Sequence, residues 1–202
     1  MRVLSVDPGS EKSGWCVLQD GVPVEWGWDD NDYMLEAMEF TFQPATHLAI
    51  EYVYLRGMKI YQQTVDTVFW VGRFAEAWGG PFTLIDRKDV KMTLCGNASA
   101  DDASIRIAII DRVGGPDKAI GGRKCQTCHG KGLRGRGKKR GTCSGCHCVG
   151  NNGILRVDET SNGPYPVGIG CGYETHPGPL HGVSGHVWSA ISVGLTYEAQ
   201  QE

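Results

Sequence analysis

Apolar and polar positions keep two rhythms along this chain. Residues 2–6 (RVLSV) form a short apolar run suited to a buried strand, and residues 14–18 form a second. Asp20-Gly21 is a hairpin signal, because both residues tolerate positive φ. Residues 22–28 then make a third strand, with Val22, Val24, Trp26 and Trp28 expected on one face and Pro23 marking a sheet edge. Residues 30–42 read as a helix through Leu35, Met38 and Phe42. Residues 47–53 are a strand, apolar through Ile50 and broken by Glu51. A long helix is expected over 59–78, where Ile60, Thr64, Val68, Val71, Ala75 and Trp78 recur at steps of three and four. Residues 81–85 give a fifth strand. A helix over 99–113 starts at Ser99 as its cap and ends at Gly114-Gly115-Pro116, and a last helix runs from Ser184 to Tyr197. A three-strand meander followed by alternating helices and strands predicts an α/β fold, a mixed sheet flanked by helices.

Composition changes this picture in one place. The 202 residues carry a net charge of −3, yet residues 121–150 hold eight Lys or Arg and no acid, leaving −11 for the rest. The same region is rich in glycine and holds five of the eight cysteines, from Cys125 to Cys148. The domains expected are therefore a main body over 1–120 and 178–202, an insert over 121–153, and a glycine- and proline-rich connector over 154–177. No run near 18 apolar residues suggests a membrane span, and no basic then apolar leader opens the chain, so a reducing, cytoplasmic setting is expected. Disulfides are disfavoured there. Cys125-x2-Cys128 and Cys143-x2-Cys146 instead have the spacing of a tetrahedral Zn²⁺ site, with His129, His147 and Cys148 as competing ligands. Cys16 and Cys95 are expected as buried apolar residues, and Cys171 is unassigned.

Asp7 and Glu51 carry the candidate chemistry. Each stands at or near the end of an apolar strand, and neighbouring strands would bring the two carboxylates together. Paired carboxylates resist ionising together, and a hard divalent cation removes that penalty. The residues "LSVDPGSEKSGWCVL" and "HLAIEYVYLRGMKIYQQTVDTVFWVGRFAEAW" resemble the RuvC-type Holliday-junction resolvases of the ribonuclease-H-like superfamily. Asp-Pro-Gly-Ser ends the first strand and Ala49-Ile50-Glu51 gives the second acid, and "DVKMTLCGNASADDASIRIAIIDRVGG" is similar to the family's next segment.

That resemblance implies a ribonuclease-H-like mixed five-stranded sheet, first and fourth strands adjacent, with a small inserted zinc-binding module. It implies a homodimeric endonuclease that cuts Holliday junctions or other branched DNA. Two Mg²⁺ or Mn²⁺ ions would be held by Asp7, Glu51 and His186, and would activate water and stabilise the leaving 3′ oxygen. The family's last helix carries an acid or His, then Asp three residues on. Here His186 matches the first, and Ser189 stands at the second. Asp158, Glu159 or Glu174 could supply the missing acid. A degraded metal site would instead leave a non-catalytic junction-binding protein. Tyr54 matches a base-stacking aromatic, and Lys91 a lysine on the scissile-strand phosphates. Its expected basic companion is replaced by Asp102.

Cys-x-x-Cys-His-Gly-Lys-Gly is similar to the glycine-rich zinc module of the Hsp40 co-chaperones, which leaves a protein-binding adaptor as a further alternative. The loop between the cysteine pairs nevertheless carries Lys131, Arg134, Arg136, Lys138, Lys139 and Arg140 beside one large apolar residue. That chemistry suits phosphates better than an unfolded polypeptide.

Overall fold

A computed structural model describes residues 1–42, 44–54, 57, 60–120, 133–134, 141–142, 150–151, 154–155 and 178–202. They fall into two compact units, Met1–Ile109 with Gly185–Glu202, and Ile110–Ser184.

The first unit is built on a mixed five-stranded sheet. Its strands are β1 (Arg2–Asp7), β2 (Lys12–Gln19), β3 (Val22–Asp30), β4 (His47–Tyr52) and β5 (Phe82–Asp86), in the order β3-β2-β1-β4-β5. β1 pairs antiparallel with β2 and parallel with β4, and β5 continues the parallel half. The expected adjacency of first and fourth strands holds. Asp20 and Gly21 both adopt positive φ (50° and 77°) at the β2–β3 turn, as the dipeptide predicts.

Strand parity then decides everything about the site. Leu4 and Val6 of β1, Val17 of β2, and Leu48 and Ile50 of β4 point to one face. There they pack on Met34, Ala37 and Met38 of helix α1 (Asn31–Phe40) and on Val71 and Phe74 of α2 (Gln62–Trp78). The opposite face, with Ser5, Asp7, Cys16 and Glu51, lies under the last helix, α6 (Val187–Ala199). This helix is apolar nearly all round and is buried from Val187 through Glu198 except at half-buried Ser189, packed on the sheet and on α3 (Arg87–Cys95). At its far end His47 stacks on Tyr197, with ring centroids 4.2 Å apart.

The apolar face expected on the third strand is corrected. Val17 pairs with Glu25 but Leu18 with Pro23, so Val24 bulges and Val22 faces away from Trp26 and Trp28. Val22, Val24 and Trp28 are exposed on this edge strand. The long helix starts at Gln62, and α3 is a helix the apolar pattern does not announce. α4 (Asp102–Arg112) is capped by Asp101 rather than Ser99. The Asp101 carboxylate accepts from the Ser104 N–H at 2.8 Å, because it sits three residues before a free N–H of the first turn. Cys16 is buried as expected, and Cys95 is half-buried.

In the second unit, α5 (Pro116–Ala119) follows a glycine pair, and two-residue ladders join β6 (Leu133–Arg134) to β7 (Gly141–Thr142) and β8 (Gly150–Asn151) to β9 (Ile154–Leu155). Among the described residues, no helix is long and apolar enough to cross a membrane.

Candidate metal centre

Asp7 ends β1, and the loop after it is held from three sides. The Ser13 hydroxyl donates to Asn31 Oδ1 at 2.6 Å, and Asn31 Nδ2 donates to the Gly9 carbonyl at 3.0 Å. Trp70 Nε1, from α2, donates to the Ser10 carbonyl at 3.0 Å. Ser13 and Asn31 are fully buried, so the network is satisfied internally. The Asp-Pro-Gly turn is therefore a fixed mount for Asp7.

Glu51 reaches the same place from β4. The register Ser5↔Ala49 and Val6↔Ile50, carried one residue further, sets Asp7 beside Glu51 on the α6 face. Burial pushes the Glu51 carboxyl up from 4.5 to about 7, and the neighbouring Asp7 charge adds to this. The opposing influence is Arg87, whose Nη1 lies 3.4 Å from Glu51 Oε2.

α6 brings the third candidate. His186 is its N-cap residue, and His186 Nδ1 lies 3.0 Å from Asp7 Oδ2. That hydrogen bond raises the imidazole pKa above 6.5 against the effect of burial. The approach depends on Gly14, the β2 partner of Asp7, since a Cβ there would sit 2.6 Å from the His186 carbonyl oxygen. Trp28 stacks nearly parallel to His186, with centroids 6.2 Å apart and Lys12 Nζ 5.3 Å from its ring. Ser189 stands half-buried in the first turn of α6 and lines a cleft of about 170 Å³ with His186, Arg87, Asp102, Arg106 and Trp188.

The donor set suits a hard divalent cation: two carboxylates from adjacent strands and one imidazole. The chemistry of this donor set fits such a cation, which would relieve the repulsion between carboxylates brought together by adjacent strands. As positioned, Asp7 bonds His186 and Glu51 faces Arg87, and among the described residues no three His, Cys, Asp or Glu side chains close on one point.

Solved structures match this fold. Thermus thermophilus RuvC matches with a TM-score of 0.55 at 12% identity, over 100% of this chain and 95% of that one. T. thermophilus RuvC in complex with Holliday junction substrate matches at 0.54 and 12%, over 100% and 94%. The chain has the RuvC fold. No family model matches it, and no curated protein matches it by sequence.

Within the RuvC fold the remaining expected residues are spread out. Tyr54 follows β4, is 45% exposed, and meets Tyr52 edge to face. Lys91 lies half-buried on α3, where its charge acts on Asp101. Cys125, Cys128, Cys143, Cys146, His129, His147, Cys148, Cys171, Lys131, Arg136, Lys138, Lys139, Arg140, Asp158, Glu159 and Glu174 lie outside the described residues, and of Arg134 only the backbone is described. Arg87 and Asp102 are site residues that sequence reasoning missed. Arg87 Nη2 donates to Asp102 Oδ1 at 2.6 Å, so the acid that replaces an expected base is already engaged.

Proposed function

We infer that this chain is a divalent-metal-dependent endonuclease that resolves Holliday junctions or other branched DNA by phosphodiester hydrolysis. The observation that carries the reading is the delivery of Asp7 and Glu51 to one sheet face beside His186. Its setting, a fold matched end to end by a RuvC solved with a Holliday junction, supports the choice of substrate.

Asp7, Glu51 and His186 would hold Mg²⁺ or Mn²⁺. A bound divalent cation supplies Lewis acidity at the phosphodiester. The protein's own part is to fix both carboxylates on rigid strands and to keep His186 against Asp7. Ser189 lines the cleft with a hydroxyl that can hydrogen-bond but adds no charge. Exposed Tyr54 offers a ring for stacking on an unpaired base, and Lys91 a charge for the backbone. The outer side of α2 exposes Val65 and Phe69, a surface suited to a second copy of the chain.

The zinc module is read from spacing alone, with Cys125, Cys128, Cys143 and Cys146 as ligands of one structural ion. The basic loop between the pairs would bind DNA phosphates. Removing its six cations should flatten the dependence of log K on log salt by about 5. An unchanged slope would take the loop out of the DNA interface.

The decisive test is nicking of a four-way junction with Mg²⁺ and then Mn²⁺. Cleavage is expected, and Asp7→Asn should lower it by about 10²-fold or more, equivalent to roughly 3 kcal/mol. Tight junction binding with no nick under either metal would favour a non-catalytic binder, the reading that Ser189 supports. Absence of any DNA preference would favour a protein-binding adaptor.

A further inference from the structure

Two features set the charge of the site. At position 189 a serine stands where the resemblance expects a carboxylate, so one negative charge is lost. Beside Glu51 stands Arg87, a fixed positive charge. Arg87 opens α3 immediately after β5, whose Ile85 pairs with Glu51 across the sheet. Its guanidinium is held by Glu51 from β4 and by Asp102 from α4, and its side chain is 29% exposed. Two anchors on separate elements make it a fixed charge, and an arginine does not lose its proton.

The cleft next to it continues the same trend. Arg87 and Arg106 both line it, and its one acid, Asp102, is already paired. Arg106 Nε is buried with no hydrogen-bond partner among the described residues. Apart from Asp102, Ser189 carries the one oxygen-bearing side chain in this lining. The cleft therefore offers an anion more than it offers a metal.

We propose that the site takes one divalent cation, on the side of Asp7, Glu51 and His186, and that the Arg87 guanidinium occupies the role of a second cation beside Glu51. This rests on the nuclease reading and names how its charge is arranged. The carboxylates of Asp7, Glu51 and Asp102 with one guanidinium sum to −2, which one dication neutralises. A second dication would bring the total to +2 in a partly buried site and would crowd the guanidinium, and the third carboxylate, Asp102, is already engaged by Arg87. Arginine supplies what a phosphate oxygen needs from a second cation, a charge and paired N–H donors, while supplying no Lewis acidity. Of its five N–H donors, only those facing Glu51 and Asp102 are used, which leaves others for a phosphate. Serine at 189 follows, since a carboxylate there would compete with Glu51 and Asp102 for the same guanidinium.

The test counts ions on the full-length protein. Mn²⁺ is titrated without DNA, free Mn²⁺ is read by electron paramagnetic resonance, and sites that survive Asp7→Asn are subtracted. One Asp7-dependent Mn²⁺ per chain is expected. Two would overturn the proposal and leave the nuclease reading intact. None would overturn both. The double variant R87Q/S189D should bind two, and a count of one there would also count against the proposal. S189D alone, which keeps Arg87, should still bind one. It serves as the second check should the double variant fail to fold, and a count of two in it would overturn the proposal.

Discussion

The two faces of strands β1, β2 and β4 differ by one residue in each strand and by nearly everything in chemistry. Leu4, Val6, Val17, Leu48 and Ile50 close against α1 and α2 with no polar group among them. Their immediate neighbours Ser5, Asp7, Cys16, Ala49 and Glu51 face α6. The apolar face is built for stability, and the other gives up some stability to hold two carboxylates side by side. Because the side-chain period is two, a slip of one register position would drive Asp7 into the core and bring Val6 to the site. The hydrophobic pattern that folds the sheet is thus also what aims the acids.

The largest effect that can break this comparison is expected on the apolar face. Phe74 is fully buried among Leu48, Ile50 and Met38. Phe74→Ala should cost about 3–5 kcal/mol. In a chain of this size that lowers the melting temperature by roughly 10 °C. Nicking per folded molecule should not change well below that temperature. A loss of nicking in the folded fraction would show that the two faces are not separable.

On the polar face the sign reverses. Glu51 has a folded pKa of about 7, raised from 4.5. A raised carboxyl binds its proton more tightly in the folded state, so stability falls as pH rises from about 4.5 through 7. His186 is also raised, through its bond to Asp7, so its contribution is present below about 6.5 and is lost as pH climbs through its folded pKa. Both push the same way: without divalent cation, the protein should be less stable at pH 8 than at pH 5. Glu51→Gln should recover most of the loss, on the order of 3 kcal/mol at pH 8 and little at pH 5. Saturating Mn²⁺ should erase the gain. Chemical denaturation at the two pH values measures it, and an equal effect of the substitution at both would remove Glu51 as the cause.

How far this was legible from residues alone follows from the range of the interactions involved. Asp7 and Glu51 could be placed because a period of two is local, and each acid ends a run whose face is already decided. His186 could be placed by its match to the last-helix motif of the resembled family, and the helix itself begins at Val187 and not at Ser184. Arg87 could not be placed. It opens a nine-residue helix with one buried residue, Val90, so no periodicity marks the element. Its partners Glu51 and Asp102 lie 36 and 15 residues away. Ser99 was a reasonable cap by type, but Asp101 lies at the right distance from the first free N–H. The bulge at Val24 changed the face of Val22 for a reason that only pairing reveals.

Two glycines make the smallest and sharpest contrast between the faces. Gly194 lies in α6 against the polar face, where a Cβ would come 2.3 Å from Leu18 Cδ1 and 2.9 Å from Ser5 Oγ. Gly72 lies in α2 with nothing within 4 Å of the same added atom. Both helices should gain intrinsic propensity from alanine, about 1 kcal/mol each. At Gly72 that gain should appear in full as added stability. At Gly194 the collision should outweigh it, giving a net loss of about 1–3 kcal/mol, because β1 and β2 are backbone-paired on both sides and cannot retreat. The displacement should also travel along α6 to His186 and lengthen its 3.0 Å contact with Asp7. An NMR titration of His186 in Gly194→Ala should then show its pKa falling back toward 6.5, with no such change in Gly72→Ala. If His186 titrates identically in both variants, the close seat of α6 on Ser5 and Leu18 is not what holds the imidazole against the carboxylate.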